Sequence, residues 1–214
     1  MAIALFSSCK KDDDSENPSV MSAQNVINSN SDIVTVKAMM WSEITDDPEI
    51  IATTSYNNNG FKLTLKTPPE SCLYKITDEF ELEYGIDISD PNAKVGDAFA
   101  IAFDNSGEEI GEFYQMGMNT RYYAGARYVY ADRNFTMKGK VEDDGYDYVE
   151  EFNCSFKKCW NILYFLESNF ENYSLVSTQK PSEVALEWIF EDYKCCKSNQ
   201  HQSLFQKHEH AKKF

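Results

Sequence analysis

From Ile33 onward, apolar and polar residues alternate with a period of two. That period sends successive side chains to opposite faces and marks half-buried strands. Val34, Val36, Ala38 and Met40 share a face opposite Thr35 and Lys37. Phe61, Leu63 and Leu65 alternate with Lys62, Thr64 and Lys66. Phe135, Met137 and Val141 alternate with Thr136, Lys138 and Lys140. Two segments are apolar on both faces, as central strands are. One sets Phe99, Ile101 and Phe103 opposite Ala98, Ala100 and Ala102. The other sets Trp160, Ile162, Tyr164 and Leu166 opposite Leu163 and Phe165, which predicts a core Trp160. Further strands are expected over residues 49–56, 110–115, 127–131, 148–156 and 173–178. Residues 181–193 fit either a helix or a strand, and a final strand is preferred.

Turn chemistry separates these segments. Asn57-Asn58-Asn59-Gly60 and Asp104-Asn105-Ser106-Gly107 supply residues that tolerate left-handed backbone. Asp132-Arg133-Asn134 and Asp143-Asp144-Gly145 punctuate later. Many short strands with such spacing predict an all-β fold, an antiparallel β-sandwich of immunoglobulin-like or related type. At most one short C-terminal helix is added to it. Residues 33–193 are expected to form this domain. A second domain would have its boundary within 67–97, but residues 33–65 offer too few strands to close a core alone.

Composition refines the picture. Lys+Arg is 20 and Asp+Glu 35, a net charge of -15. So negative a surface repels phosphate backbones, which argues against nucleic acid as a partner. No run of 18 apolar residues exists, so no helical membrane span is expected. Residues 194–214 are a basic contrast, with five lysines, one glutamate and all three histidines. They lack apolar periodicity and read as a disordered tail dispensable for folding.

The N-terminus reads as an address. Apolar residues 2–6 precede Ser7, Ser8 and Cys9. This order resembles a truncated bacterial lipoprotein signal with a lipobox-like Cys9, in which that cysteine is lipidated. Lys10-Lys11-Asp12-Asp13-Asp14-Ser15-Glu16 follows it and resembles the export signal of Bacteroidota surface lipoproteins. Residues 10–32 are charged or rich in Ser and Asn and read as a flexible acidic tether. Body segments resemble the same group. They are Tyr56-Asn57-Asn58-Asn59-Gly60-Phe61-Lys62-Leu63-Thr64-Leu65, Ile88-Ser89-Asp90-Pro91-Asn92-Ala93-Lys94-Val95-Gly96, Tyr128-Val129-Tyr130-Ala131-Asp132-Arg133 and Lys157-Lys158-Cys159-Trp160-Asn161-Ile162. Glycine is common in that group where Cys159 stands here. The resemblance implies a β-sandwich body, a lipid anchor and display outside the outer membrane. It implies no activity.

Candidate chemistry is sparse. His201, His208 and His210 all lie in the tail, so the body holds no His-based triad, dyad or zinc site. No cofactor is implied. Cys154 and Cys159 lack the spacing of a redox pair, and a local disulfide between them is one alternative to burial as small hydrophobes. The cluster Glu142, Asp143, Asp144 and Asp147 fits a solvated turn better than a glycosidase pair. Loose calcium binding there, or at Asp87, Asp90 and Asp97, is a weaker reading. Asn119, Arg121, Tyr122 and Tyr123 have the composition of a sugar-binding loop, with sheet packing as the commoner use of such tyrosines. The expected function is therefore a surface-exposed, non-catalytic binding module, with glycan or a surface protein as ligand. The alternative is a structural or adhesion component of a cell-surface assembly.

Overall fold

The computed structural model describes residues 18–42, 44–79, 85–143 and 148–196. Cys9, the acidic block, the turn at 144–147 and the tail beyond 196 lie outside them. The described chain is nearly all strand. Its first strand, β1 (Val20–Ala23), falls within the stretch expected to be tether. It pairs antiparallel with β4 (Phe61–Thr64) and buries Met21 and Ala23. Its few apolar positions are too short a run, in too polar a neighbourhood, to show a period.

The remaining strands form one continuous sheet. β2 (Thr35–Ser42) pairs with β3 (Asp47–Ser55) on one side. On the other it pairs with β7 (Lys94–Phe103). β7 changes partner along its length. Residues 95–98 pair with β9 (Tyr122–Ala131), and residues 100–103 pair with β8 (Glu109–Met118). Two small strands, β5 (Tyr74–Lys75) and β6 (Ile86–Ile88), pair with β7 and β10 (Phe135–Asp143). β11 (Tyr148–Phe156) joins β10, and β12 (Cys159–Ser168) runs beside β9. β13 (Tyr173–Ser177) lies between β11 and β12, antiparallel to β12 but parallel to β11. That parallel pair is the exception to the expected antiparallel sheet. The preferred final strand is present as β14 (Glu187–Asp192), paired with β8 and followed by a four-residue helical turn, α2 (Tyr193–Cys196). A similar turn, α1 (Ile76–Glu79), follows β5.

The arrangement is an open, sandwich-like one built on two clusters. β1 and β4 contribute Met21, Phe61 and Leu63 to the first cluster. The main sheet contributes Val36, Ala100, Tyr128, Trp160 and Phe190. Alanines of β7 face this cluster because large rings from β9, β12 and β14 fill it. The second cluster lies on the opposite face of β9 and β12, through Val129, Ala131 and Leu163. It is completed by Phe135, Met137, Phe152 and Cys154. β9 and β10 are joined by only residues 132–134, yet β12, β13 and β11 stand between them in the sheet. The sheet must therefore curl around the second cluster. β12 buries both faces, as its sequence predicts.

Trp160 is core, with 2% of its surface exposed. Its Nε1 donates to the Lys66 carbonyl at 3.1 Å, and its ring meets Tyr130 edge-on at 5.5 Å. The bend before it is held by buried Asn161. Asn161 Oδ1 accepts from the Lys157 amide, and its Nδ2 donates to the carbonyls of Lys157 and Cys159, each at 2.9 Å. Cys159 itself has φ +123°, a region glycine occupies freely and other residues rarely. Its backbone is thus one that glycine would hold without strain.

Candidate functional site

At one end of the sheet, two turns and a connecting segment meet. The β8–β9 turn carries Asn119, Thr120 and Arg121, and the β12–β13 turn carries Asn169 and Phe170. Asn119 organises the first turn. Its Oδ1 accepts from the amides of Arg121 and Tyr122 at 2.8 and 2.9 Å. Its Nδ2 donates to the Glu183 carbonyl at 2.8 Å. Asn169 ties the second turn to the first. Its amide donates to the Arg121 carbonyl at 2.7 Å, and its Nδ2 donates to the Asn119 carbonyl at 3.1 Å. Beneath lie Ala124, Leu166 and Val184, with Tyr122, Leu175 and Leu186 packed against them. Two apolar side chains project from this end: Met118 and Phe170, each 74% exposed. Arg121 is also exposed and forms no ion pair with a described residue.

The four residues expected to form a sugar site are therefore only partly brought together. Asn119 is spent on the turn and its neighbours. The strand reaches further than the sequence suggested, so Tyr122 and Tyr123 begin β9 rather than sit in a loop. Consecutive strand residues point to opposite faces, so the two rings cannot make one platform. Tyr122 packs on the small cluster below the turn. Tyr123 is half-buried, and burial pushes its phenol up, with Glu167 adding to the shift and Arg127 opposing it. Asn119 and Arg121 are both exposed, but only the Arg121 side chain is not committed to the hydrogen bonds that hold the turn. Phe170 and Met118 were missed because lone apolar residues beside turn residues carry no period; the only cue was an aromatic between Asn169 and Glu171.

Other candidates resolve differently. Cys159 is disulfide-bonded, whereas Cys72 and Cys154 are free and buried. The local Cys154–Cys159 bridge weighed from the sequence is thus not formed. Burial pushes the Cys154 thiol up to about 12, so it behaves as a small hydrophobe. Asp90 and Asp97 are engaged by arginines, with Arg133 3.4 Å and Arg127 3.6 Å away. Among the described residues, no group of three or more His, Cys, Asp or Glu side chains could hold a metal. Comparison with protein families, curated proteins and solved structures gave no match.

Proposed function

We propose that this chain is a surface-exposed lipoprotein acting as a non-catalytic binding module. Its contact face is the turn end carrying Met118, Arg121 and Phe170. The observation that carries this reading is the exposure of Phe170 and Met118 on turns made rigid by Asn119 and Asn169. Exposed apolar groups on pre-ordered turns lose little entropy on binding, which favours a recognition role. A ring and a guanidinium without an ion-pair partner among the described residues, on two turns tied to each other, suit the apolar face and hydroxyls of a sugar, and glycan is the first ligand class. The Cys9 motif supports anchoring to the outer membrane. The disulfide at Cys159 supports an oxidising compartment.

The test is a glycan array with the wild type, Phe170→Ala and Arg121→Ala. Binding lost in both variants, with melting temperature unchanged, supports the reading. No glycan binding, or binding indifferent to both changes, counts against it. One observation favours the second reading, a component of a surface assembly. β2 exposes Trp41 by 51%, β3 exposes Ile50, and the turn between them exposes Ile44. Such a cluster is of the kind that protein contacts cover.

A further inference from the structure

We infer that the wedge between β3 and β4 receives an extended acidic segment of a partner protein as an added strand. β3 and β4 are consecutive and joined by a tight turn, with Asn58 and Asn59 at φ +53° and +58°. Asn57 and Gly60 close that turn through two 3.0 Å backbone hydrogen bonds. An ordinary hairpin would continue pairing from there. This one splays: β3 stays on β2, while β4 leaves to pair with β1. Each strand keeps an edge without a ladder partner among the described residues. Between them lies a cavity of about 330 Å³. Residues 50–53 form one wall, and Lys62, Thr64 and Lys66 form the other.

Two observations select the occupant. The first is charge. On a chain of net charge -15, this wall presents two lysines that form no ion pair with a described residue. The second is a precedent within the same fold. β11 and β12 are also consecutive and also splayed, and there β13 fills the gap by pairing with both. The β3–β4 wedge is the same device left unfilled among the described strands. Strand addition draws affinity from main-chain hydrogen bonds and selectivity from alternate side chains. Acidic residues at alternate positions would meet Lys62 and Lys66, and aliphatic ones would lie beside exposed Ile50. Pro48 deters pairing at the far end of β3. The β-bulge, at Ile51 opposite Ala38 and Met39, lies within the wall itself, so the regular receptive edge runs from Ala52 toward the turn.

The experiment uses the full chain and a labelled peptide of alternating Glu and Val, with a Lys–Val peptide as control. Anisotropy should show salt-sensitive binding of the acidic peptide only, with new amide-exchange protection at Thr53, whose amide faces away from β2. The double variant Lys62→Glu, Lys66→Glu, both surface changes, should weaken binding on the order of tenfold without lowering the melting temperature. No binding, equal binding of the Lys–Val peptide, or indifference to the charge reversal would overturn the proposal. Binding seen only after residues 1–17 are deleted would also overturn it, by showing that the chain's own acidic block takes the wedge. A dimer abolished by the double variant would overturn it in favour of a second copy.

Discussion

At the residue scale, the two buried tryptophans differ in one atom's partner. Trp160 Nε1 donates to the Lys66 carbonyl, whereas Trp188 Nε1 is buried with no partner among the described residues. Trp160→Phe strands a carbonyl and should cost ~1–3 kcal/mol beyond the lost volume. Trp188→Phe removes an unsatisfied donor and should cost less. Trp160→Ala should cost ~3–5 kcal/mol through the cavity it leaves. Urea unfolding ranks the three, and a costlier Trp188→Phe would contradict the assignment. Cys159 offers a second comparison. Under reducing conditions its disulfide is absent, and only the φ of +123° matters. Cys159→Gly should then exceed the reduced wild type by about 1 kcal/mol, and Cys159→Ala should not.

Glu112 gives the pH dependence. Burial raises its carboxyl first, and Glu191 and Glu109 add to the shift. A carboxyl raised in the folded state is best tolerated when protonated. Its favourable contribution is therefore complete below the ordinary glutamate range and lost as pH rises through the raised value. Glu112→Gln should raise the melting temperature at pH 7, and the gain should vanish below about pH 4. A gain independent of pH would place the effect elsewhere.

At the scale of elements, the chain was legible where each strand buries at least one regular face. The β2, β4, β7 and β12 patterns, the turns at 57–60 and 104–107, and the final strand could all be read directly. What could not be read is which strands neighbour one another. The β3–β4 and β11–β12 hairpins look like simple pairs in sequence, yet both splay. The cause lies in distant residues: Met21 and Ala23 draw β4 to β1, and Val176 inserts between Phe152 and Phe165. Asn161 is the local device that permits the second splay. Asn161→Ala would leave the Lys157 amide and carbonyl unpaired and should cost ~1–3 kcal/mol. Urea unfolding measures that cost, and an unchanged stability would assign the bend to another residue. The candidate site was half legible for the same reason. Its composition pointed to the β8–β9 turn, but alternation divides Tyr122 from Tyr123, and the exposed Phe170 arrives from another hairpin.

At the scale of the molecule, the proposed location rests on one cysteine. Cys9 can carry a thioether-linked lipid or half of a disulfide, not both. Cys159 is disulfide-bonded, and its Sγ lies 3.9 Å from Ser19 Oγ, near the entry of the described chain. An acyl probe should label the wild type, with a complete signal restored upstream, and not Cys9→Ala. Recovery of a Cys9–Cys159 peptide by mass spectrometry would contradict lipid anchoring. The central claim is that the turn end bearing Phe170 is displayed outside the cell and makes contact there. A photo-crosslinking residue at Phe170 tests it most directly, with one at Ser106, in the β7–β8 turn, as the control. On intact cells, position 170 should give adducts and position 106 none. Equal adducts from both, or none from either, would contradict it.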